Sequence, residues 1–331
     1  MNQTSNPKAL CAPSLEDAWK RLTSGDSYVL ACHVRPDGDC LGAMLALARE
    51  LRRIGKDVTA LSIDGVPENY LFLPDSDNVM TSTDRRGFDV GIIVDADTLK
   101  RVGDSADTIA SARTLARVDH HLSSEEFGEV RIVDTGVSST CELIRLLFQS
   151  NGIAIDQPTA TLLLTGIIFD TGGFRYPNAS ARTFAIASEL VELGADSSAI
   201  AREVLENRPP RALQLLGRAL SSLTAEPDGL IAYGVITARD YEELGATDAD
   251  TEGIVNSLST VKGPRVVVLF RETEPGTVRV SLRSRDGVDV NRVAQVFDGG
   301  GHAAAAGCTV NGSLEEAKAR VIAEVRRWME L

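Results

Sequence analysis

The chain has 331 residues, of which 43% are hydrophobic and 24% charged, and these are the proportions of an ordinary globular protein. Its length exceeds that of one typical domain and predicts two, each large enough to bury its own core. The net charge of −13 opposes binding to long polyanions. This charge excludes a protein that coats duplex nucleic acid, but a small anionic substrate held by local cations stays open.

Composition also bears on location and redox state. No run of about 20 apolar residues is present to span a bilayer, and MNQTSNPKAL lacks the basic start and apolar middle of a secretory signal. We therefore expect a cytoplasmic protein with no membrane partner. The cysteines are odd in number and form no CxxC pair: Cys11, Cys32, Cys40, Cys141 and Cys308. We expect reduced, mostly buried thiols rather than a disulfide framework or a zinc ribbon.

The first part of the chain alternates short apolar runs with amphipathic stretches. The pattern predicts a helix at 14–22 capped by Ser14, strands at 28–32, 57–63, 88–94 and 114–118, and further helices at 41–54 and 106–113. This alternation predicts a mostly parallel sheet covered by helices.

Further helical patterns follow, and beyond Pro227 the sequence changes to short β-branched runs. Helices are predicted at 139–149, at 181–193, at 197–206, at 212–223 and in the buried segment that ends at Asp170. The β-branched runs LIAYGVI, RVVVLF and TVRVSL then predict strands, followed by a helical stretch, the glycine-rich FDGGGHAAAAG and a final helix at 314–328. We predict an α/β fold: a domain at 1–206 with a mostly parallel sheet flanked by helices, a linker helix within 207–227, a smaller α/β domain with a mixed sheet at 228–331, and a cleft between the domains.

Open parallel sheets bind ligands beyond the carboxyl ends of their strands. Acidic and imidazole side chains follow three predicted strands: His33, Asp37 and Asp39 in HVRPDGD, Asp95 and Asp97 in VDAD, and Asp119, His120 and His121 in VDHH. Crowded carboxylates repel one another unless a cation lies among them, and Asp170 at a helix C-terminus also requires one. Oxygen-rich ligands with imidazoles and no thiolate favour Mn²⁺ or Mg²⁺, and so many ligands suit two ions. Phosphoester hydrolysis is the reaction that this chemistry favours.

Each motif also has a structural interpretation when taken alone. Pro-Asp-Gly-Asp suits a tight turn and a helix cap, and an aspartate after a buried strand is often the first polar residue of a loop. Adjacent histidines are unusual in a chain that has four histidines in all. Because side chains alternate along an extended strand, we expect the rings of His120 and His121 to point in opposite directions and to serve different partners.

The predicted second domain contains a different kind of motif. GGGHAAAAG offers unobstructed backbone amides and an imidazole for an anion or nucleotide, and its structural alternative is a flexible turn before a small-residue helix. Arg283 and Arg285 suit bidentate contacts with phosphate, or are ordinary surface arginines on an edge strand. The glycines do not open a helix within a βαβ unit, so a dinucleotide-binding motif is excluded.

In their order, HVRPDGD, VDAD, VDHH, FDTGGFRY and GGGHAAAAG resemble the motifs of the DHH phosphoesterase family with a C-terminal DHHA1 domain, over residues 15–325. Chain size and DTGGFRYPN are most similar to the branch that degrades very short oligonucleotides and 3′-phosphoadenosine 5′-phosphate (pAp). The resemblance implies a metal-dependent exonuclease and pAp phosphatase. Its substrates would be short single-stranded RNA or DNA or a mononucleotide bisphosphate, not a duplex, and two copies would pair.

The resemblance also implies a role for each candidate residue. His33 and Asp37 would hold one Mn²⁺, with Mg²⁺ as the alternative. Asp39, His120 and Asp170 would hold a second ion, and Asp95 would bridge the two. Asp119 would orient the neighbouring imidazole, His121 would face the scissile phosphate, and a hydroxide between the ions would attack phosphorus in line. The residues that would bind the phosphate and the terminal nucleotide are Arg283, Ser284, Arg285, Gly299, Gly300, Gly301 and His302.

Rival functions share parts of this pattern. A cyclic- or linear-dinucleotide phosphodiesterase stays open, whereas a RecJ-like exonuclease for longer strands needs further nucleic-acid-binding domains, for which this chain has no room. A pyrophosphatase or polyphosphatase would not need the GGGH segment. A non-catalytic nucleotide-binding regulator would be indicated by degraded metal motifs, and these motifs are intact.

Overall fold

The computed structural model describes residues 14–121, 127–285 and 287–329. The chain forms two compact units, Met1–Asn207 and Arg208–Leu331. Four cysteines are free and buried, as expected, and Cys11 lies outside the described residues. Within the described ranges, no helix is long and apolar enough to cross a membrane.

The first unit is built on a six-stranded parallel sheet. Its strands are β1 (Ser27–Ala31), β2 (Asp57–Leu61), β3 (Val79–Met80), β4 (Val90–Val94), β5 (Thr114–Asp119) and β6 (Val130–Val133). They lie in the order β3-β2-β1-β4-β5-β6, and each neighbouring pair is parallel. The chain runs outward from β1 through β2 and β3 and then returns to form β4 on the other side of β1. The carboxyl ends of β1 and β4 therefore border the crevice where such sheets bind ligands.

Helices cover the two faces of this sheet. They are α1 (Leu15–Leu22), α2 (Gly38–Arg53), α3 (Ala106–Ala110), α4 (Thr140–Ser150), α5 (Gln157–Asp170), α6 (Ala181–Glu192) and α7 (Ser197–Ala201). Helix α2 begins at Gly38 rather than at Leu41, because the side chain of Asp37 caps it. Helix α7 passes into a π-helical turn at Arg202–Glu206, where one continuous helix had been predicted.

The core of the first unit follows the alternation of side chains along the strands. In β1, Tyr28 and Leu30 face the layer formed by α1, α2, α4 and α5, whereas Val29 and Ala31 face the opposite layer, which includes Ile109 of α3. Helix α5 packs against α2 and α4 and is buried along most of its length.

The second unit is built on a six-stranded mixed sheet. Its strands are β7 (Thr224–Ala225), β8 (Ile231–Ile236), β9 (Val266–Glu274), β10 (Thr277–Ser284), β11 (Gly300–His302) and β12 (Ala305–Asn311), in the order β11-β12-β10-β9-β8-β7. Its helices are α8 (Pro210–Ser221), α9 (Ala238–Leu244), α10 (Ile254–Leu258), α11 (Val290–Gln295) and α12 (Leu314–Met329). Strands β8 and β9 are parallel and the other neighbouring pairs are antiparallel. The predicted α/β class, with a parallel sheet and a second mixed sheet, is confirmed.

Candidate metal centre

The loop after β1 holds His33 beside two carboxylates. Its Nδ1 lies 2.9 Å from the carbonyl oxygen of Val34, and because a carbonyl only accepts, Nδ1 carries the proton of this hydrogen bond. Its Nε2 lies 3.3 Å from Asp37 Oδ2 and 3.5 Å from Asp95 Oδ2. The other oxygen of Asp37 accepts the N–H groups of Asp39 and Cys40, both at 3.0 Å. The helix cap thus leaves Oδ2 of Asp37 directed towards His33.

Asp95 follows β4 and lies at the centre of the cluster. Its backbone has φ +55°, in the left-handed region, and its N–H donates to the carbonyl of Val118. Its Oδ2 faces His33, whereas its Oδ1 accepts the hydroxyl of Thr140 at 2.8 Å and lies 3.5 Å from Nε2 of His120. The two oxygens of one buried carboxylate therefore face two different groups of side chains.

The second group combines residues from α2, α5 and the end of β5. Asp39 is fully buried in the first turn of α2, and its two oxygens accept the N–H groups of Thr140 (2.7 Å) and Cys141 (2.9 Å). His120 Nε2 lies 3.1 Å from Asp170 Oδ2 and 3.9 Å from Asp39 Oδ2. The carboxylate that ends α5 thus meets an imidazole, as its position against the helix dipole requires.

The two adjacent histidines do not diverge, so the expectation that their rings point in opposite directions is wrong. Their centroids are 4.4 Å apart, with an angle of 62° between the ring planes. Strand β5 ends at Asp119, so both histidines follow the strand and the alternation of side chains along a strand does not apply to them. His121 Nδ1 lies 2.8 Å from Asp119 Oδ1 and 3.5 Å from Asp95 Oδ1.

Asp119 accepts hydrogen bonds from the second histidine and is itself held by Arg117, which the sequence analysis missed. Asp119 Oδ1 accepts both the backbone N–H of His121 (3.1 Å) and its Nδ1–H, while Oδ2 accepts Nε (3.1 Å) and Nη2 of Arg117. Both oxygens are thus occupied by protein donors. The available signal was a charged residue inside the strand TLARVD, two positions before Asp119 and hence on the same face.

The electrostatics are those of a site for cations. Burial raises the pKa of Asp39 well above its ordinary value, and repulsion by Asp95 and Asp170 adds to this. Burial lowers the pKa of His33 and of His120, but the neighbouring carboxylates outweigh burial and raise both. Burial also raises the pKa of Asp170, whereas the three neighbouring histidines outweigh burial and lower the pKa of Asp95. Carboxylates that repel one another and raise the pKa of nearby imidazoles in this way form a site that suits cations.

The donor atoms also fit such cations. Within the described residues, three groups have ligand atoms within 4.8 Å of one another: His33, Asp37 and Cys40; Asp95, His120 and His121; and Asp39, His120 and Asp170. These groups include all six residues predicted as metal ligands. Carboxylate oxygens with imidazole nitrogens suit Mn²⁺ or Mg²⁺.

The predicted substrate-binding residues all lie in the second unit. Arg283 donates through Nε to Asn256 Oδ1 at 2.7 Å, and Arg285 donates through Nη2 to the carbonyl of Ser259, so both guanidinium groups reach α10 or its C-cap. Ser284 donates its hydroxyl to the carbonyl of Val288 at 2.5 Å.

The glycine-rich segment is a β-hairpin rather than a turn before a helix. Strand β11 lies at the edge of the sheet and pairs with β12, and Gly300, Gly301 and His302 are exposed there. Gly301 has φ +144°, and a Cβ there would lie 2.7 Å from Cα of Ala306, so the hairpin requires glycine at this position. A Cβ on Gly300 would meet no atom nearer than 4.0 Å, so the hairpin does not explain that glycine.

Comparison with known proteins gives the family. Residues 27–167 match the DHH family, N-terminal domain, and residues 230–331 match the DHHA1 domain. The chain is 32% identical to the bifunctional oligoribonuclease and PAP phosphatase NrnA of Thermus thermophilus, over 92% of this chain and 91% of that protein. The chain belongs to the DHH family. This DHH protein is also 30% identical to the NrnA of the same description from Bacillus subtilis, over 91% of this chain and 94% of that one.

A solved structure agrees with this assignment to the DHH family. The exopolyphosphatase-related protein from Bacteroides fragilis has a TM-score of 0.88 and 29% sequence identity, and the match covers 97% of this chain and 98% of that chain. The family resemblance seen in the sequence is confirmed.

Proposed function

We propose that the protein is a phosphoesterase that hydrolyses very short oligonucleotides and pAp, with two divalent cations, Mn²⁺ by preference. The observation that carries the proposal is the position of Asp95, whose two carboxylate oxygens face different imidazoles at the switch point of the parallel sheet. The relatives named oligoribonuclease and PAP phosphatase support the choice of substrates.

In this proposal the two groups of side chains each hold one cation. His33 and Asp37 hold one, the group of Asp39, His120 and Asp170 holds the other, and Asp95 is shared. Two bound divalent cations supply an activated water and neutralise the charge that develops on a transferring phosphoryl group.

His121 acts on the substrate rather than on a metal ion. Because a carboxylate only accepts, Asp119 Oδ1 fixes the proton of His121 on Nδ1 at 2.8 Å. Nε2 is then the ring atom directed to the phosphate, where an imidazole stabilises charge or moves a proton.

The second unit binds the rest of the substrate. Arg283, Arg285 and His302 contribute cationic or polar groups, Ser284 a hydroxyl, and the Gly299–Gly301 segment backbone amides. Residues 1–206 form the catalytic domain and residues 228–331 the substrate-binding domain. Since the chain carries a net charge of −13, its cations are confined locally and favour a substrate of few phosphates.

The test is release of phosphate or nucleotide by the purified full chain. Substrates are pAp, labelled RNA from dinucleotide to pentanucleotide, and a long single strand, each with Mn²⁺, with Mg²⁺ and after chelation. We expect hydrolysis of pAp and the short RNAs, stronger with Mn²⁺, and little of the long strand. Absence of hydrolysis of every substrate with Mn²⁺ present would overturn the proposal.

One variant of the proposed metal site and one control variant elsewhere on the same sheet test the assignment of the site. Asp95→Asn removes the shared carboxylate and should abolish both activity and metal binding. Asp26→Asn is the matched control, because this aspartate precedes β1 at the opposite end of the sheet and its side chain is 96% exposed. Full activity of Asp95→Asn would show that the metal site is assigned wrongly.

A further inference from the structure

We infer that Arg117 is a positioning residue, which fixes His121 by holding Asp119. The inference rests on the role proposed above for His121. Arg117 lies in β5 two residues before Asp119, so their side chains are on the same face of the strand. It is 3% exposed, which is unusual for an arginine and requires a partner.

The hydrogen bonds divide the carboxylate of Asp119 between two partners. Nε and Nη2 of Arg117 both donate to Oδ2, which leaves Oδ1 to accept the backbone N–H and Nδ1–H of His121. The guanidinium carbon also lies 5.1 Å from the ring centroid of Phe127, at a distance typical of a cation–π contact. Asp119 is therefore held on one oxygen so that the other keeps its direction towards the imidazole.

The negative charges of the site indicate a second role for Arg117. The proposed metal ligands include four carboxylates, whose charge two divalent cations would offset. Asp119 is a fifth carboxylate beside these four, it is fully buried, and its salt bridge with Arg117 balances its charge without a metal ion. Arg117 thus offsets the charge of Asp119 from within the protein.

Loss of the arginine should therefore affect turnover more than binding. Without the guanidinium, Oδ2 of Asp119 loses both donors, the carboxylate can rotate, and Nδ1–H of His121 loses an acceptor of fixed direction. Outer partners of this type typically contribute about 10–100-fold to activity. Because Arg117 is assigned no contact with substrate or metal, KM and bound metal should change little.

A double-mutant cycle tests the pathway through Asp119. We expect Arg117→Met to lower kcat by about 10–100-fold, with Arg117→Lys in between, since an ammonium restores the charge but not the planar fork. In the Asp119→Asn background the same Arg117→Met change should cost at most about twofold, because the partner is already lost. Arg113→Met is the control, because this arginine precedes the same strand, pairs with Asp89 and has an 80% exposed side chain.

A spectroscopic measurement separates this inference from the proposed function. The chain has four histidines, so ¹⁵N-histidine labelling gives few resonances, and the His121→Asn protein assigns the signal. We expect a fixed Nδ1–H tautomer of His121 in the wild type and a mixture in Arg117→Met, whether or not any substrate is hydrolysed. If Arg117→Met does not fold, Arg117→Lys and the double variant, which buries no lone charge, supply the comparison.

Two results would overturn the inference. One is an unchanged kcat and an unchanged His121 tautomer in Arg117→Met or, failing that, in Arg117→Lys. The other is an equal loss of kcat on removing Arg117 with and without Asp119, since the arginine would then act by another route.

Discussion

Gly166 lies in the interior of α5, where an added methyl group would collide with a residue of the candidate metal centre. A Cβ at this position would lie 2.8 Å from Cβ of Cys141 and closer still to Oδ1 of Asp39. Asp39 cannot yield easily, because two backbone N–H groups at the start of α4 hold its carboxylate. We therefore expect Gly166→Ala to displace a proposed ligand.

The magnitude follows from two opposing effects. Overpacking a close-packed interior costs about 1–3 kcal/mol, whereas alanine is about 1 kcal/mol more favourable than glycine inside a helix. The free energy of unfolding should therefore fall by about 0–2 kcal/mol. Because misplacement of a reacting group by about 1 Å can cost 10²-fold, kcat should fall by about that factor.

Gly217→Ala is the matched control, because Gly217 is interior to α8 and a Cβ there would meet no atom within 4 Å. It should raise stability by about 1 kcal/mol and leave activity unchanged. Trp19 in α1 and Trp328 in α12 are the chain's two tryptophans, so urea unfolding followed by fluorescence, with the other one replaced by Phe, reports each unit. If Gly166→Ala is as stabilising as Gly217→Ala and fully active, the steric reasoning is refuted.

Four further changes address other parts of the structure. Gly300→Ala should leave stability within about 0.5 kcal/mol but raise KM for short RNA, whereas Gly301→Ala should cost about 1–3 kcal/mol, because its φ of +144° suits only glycine. Thr140→Val removes the hydroxyl that donates to Asp95 and should weaken metal binding by about tenfold or more, measured by calorimetry. Hydrogen bonds outweigh burial and lower the pKa of Glu142 below its ordinary 4.5. The stabilisation that Glu142 gives the folded state is therefore present above that pH and is lost as the pH falls below it. Glu142→Gln should reduce this loss of the free energy of unfolding in acid, measured by urea titrations.

Thr140→Val has a matched control. Thr165→Val removes an equally buried hydroxyl that donates only to the carbonyl of Thr161 in the same helix, so metal affinity should not change. Equal losses of affinity in Thr140→Val and Thr165→Val would mean that the hydroxyl on Asp95 does not support the ligand. Equal KM values for wild type and Gly300→Ala would remove that glycine from the substrate site, and an unaltered acid slope in Glu142→Gln would contradict the linkage.

The parallel sheet and the meeting of its strand-end residues could be predicted from sequence, since both follow from alternating periodicity and from the position of the loops. The direction of individual side chains could not. His120 and His121 lie in the same sequence run as β5, and only the end of the strand at Asp119 decides that alternation no longer applies. Such boundaries depend on hydrogen bonds with neighbouring strands, and local pattern is least informative there.

The hairpin of the second unit shows a different limit. The run Ala303–Ala306 has high helix propensity, yet Ala305–Asn311 is strand β12 and pairs along its length with β10, where Ala305 faces Arg283. Tertiary pairing thus overrides local preference. The partner strand precedes β12 by about twenty residues, so no short window of sequence contains the signal.

The hydrogen-bond donors to the site carboxylates explain why more of the site's chemistry than of its geometry could be predicted from the sequence. Asp37 accepts N–H groups from the first turn of α2, Asp39 accepts them from the first turn of α4, and Asp119 accepts that of His121. These donors are backbone atoms, which every residue type except proline supplies, so residue identity does not mark them. The ligands are specified by side chains and their orientation by helix starts, and among the described residues Arg117 and Thr140 add side-chain support that a sequence could have revealed.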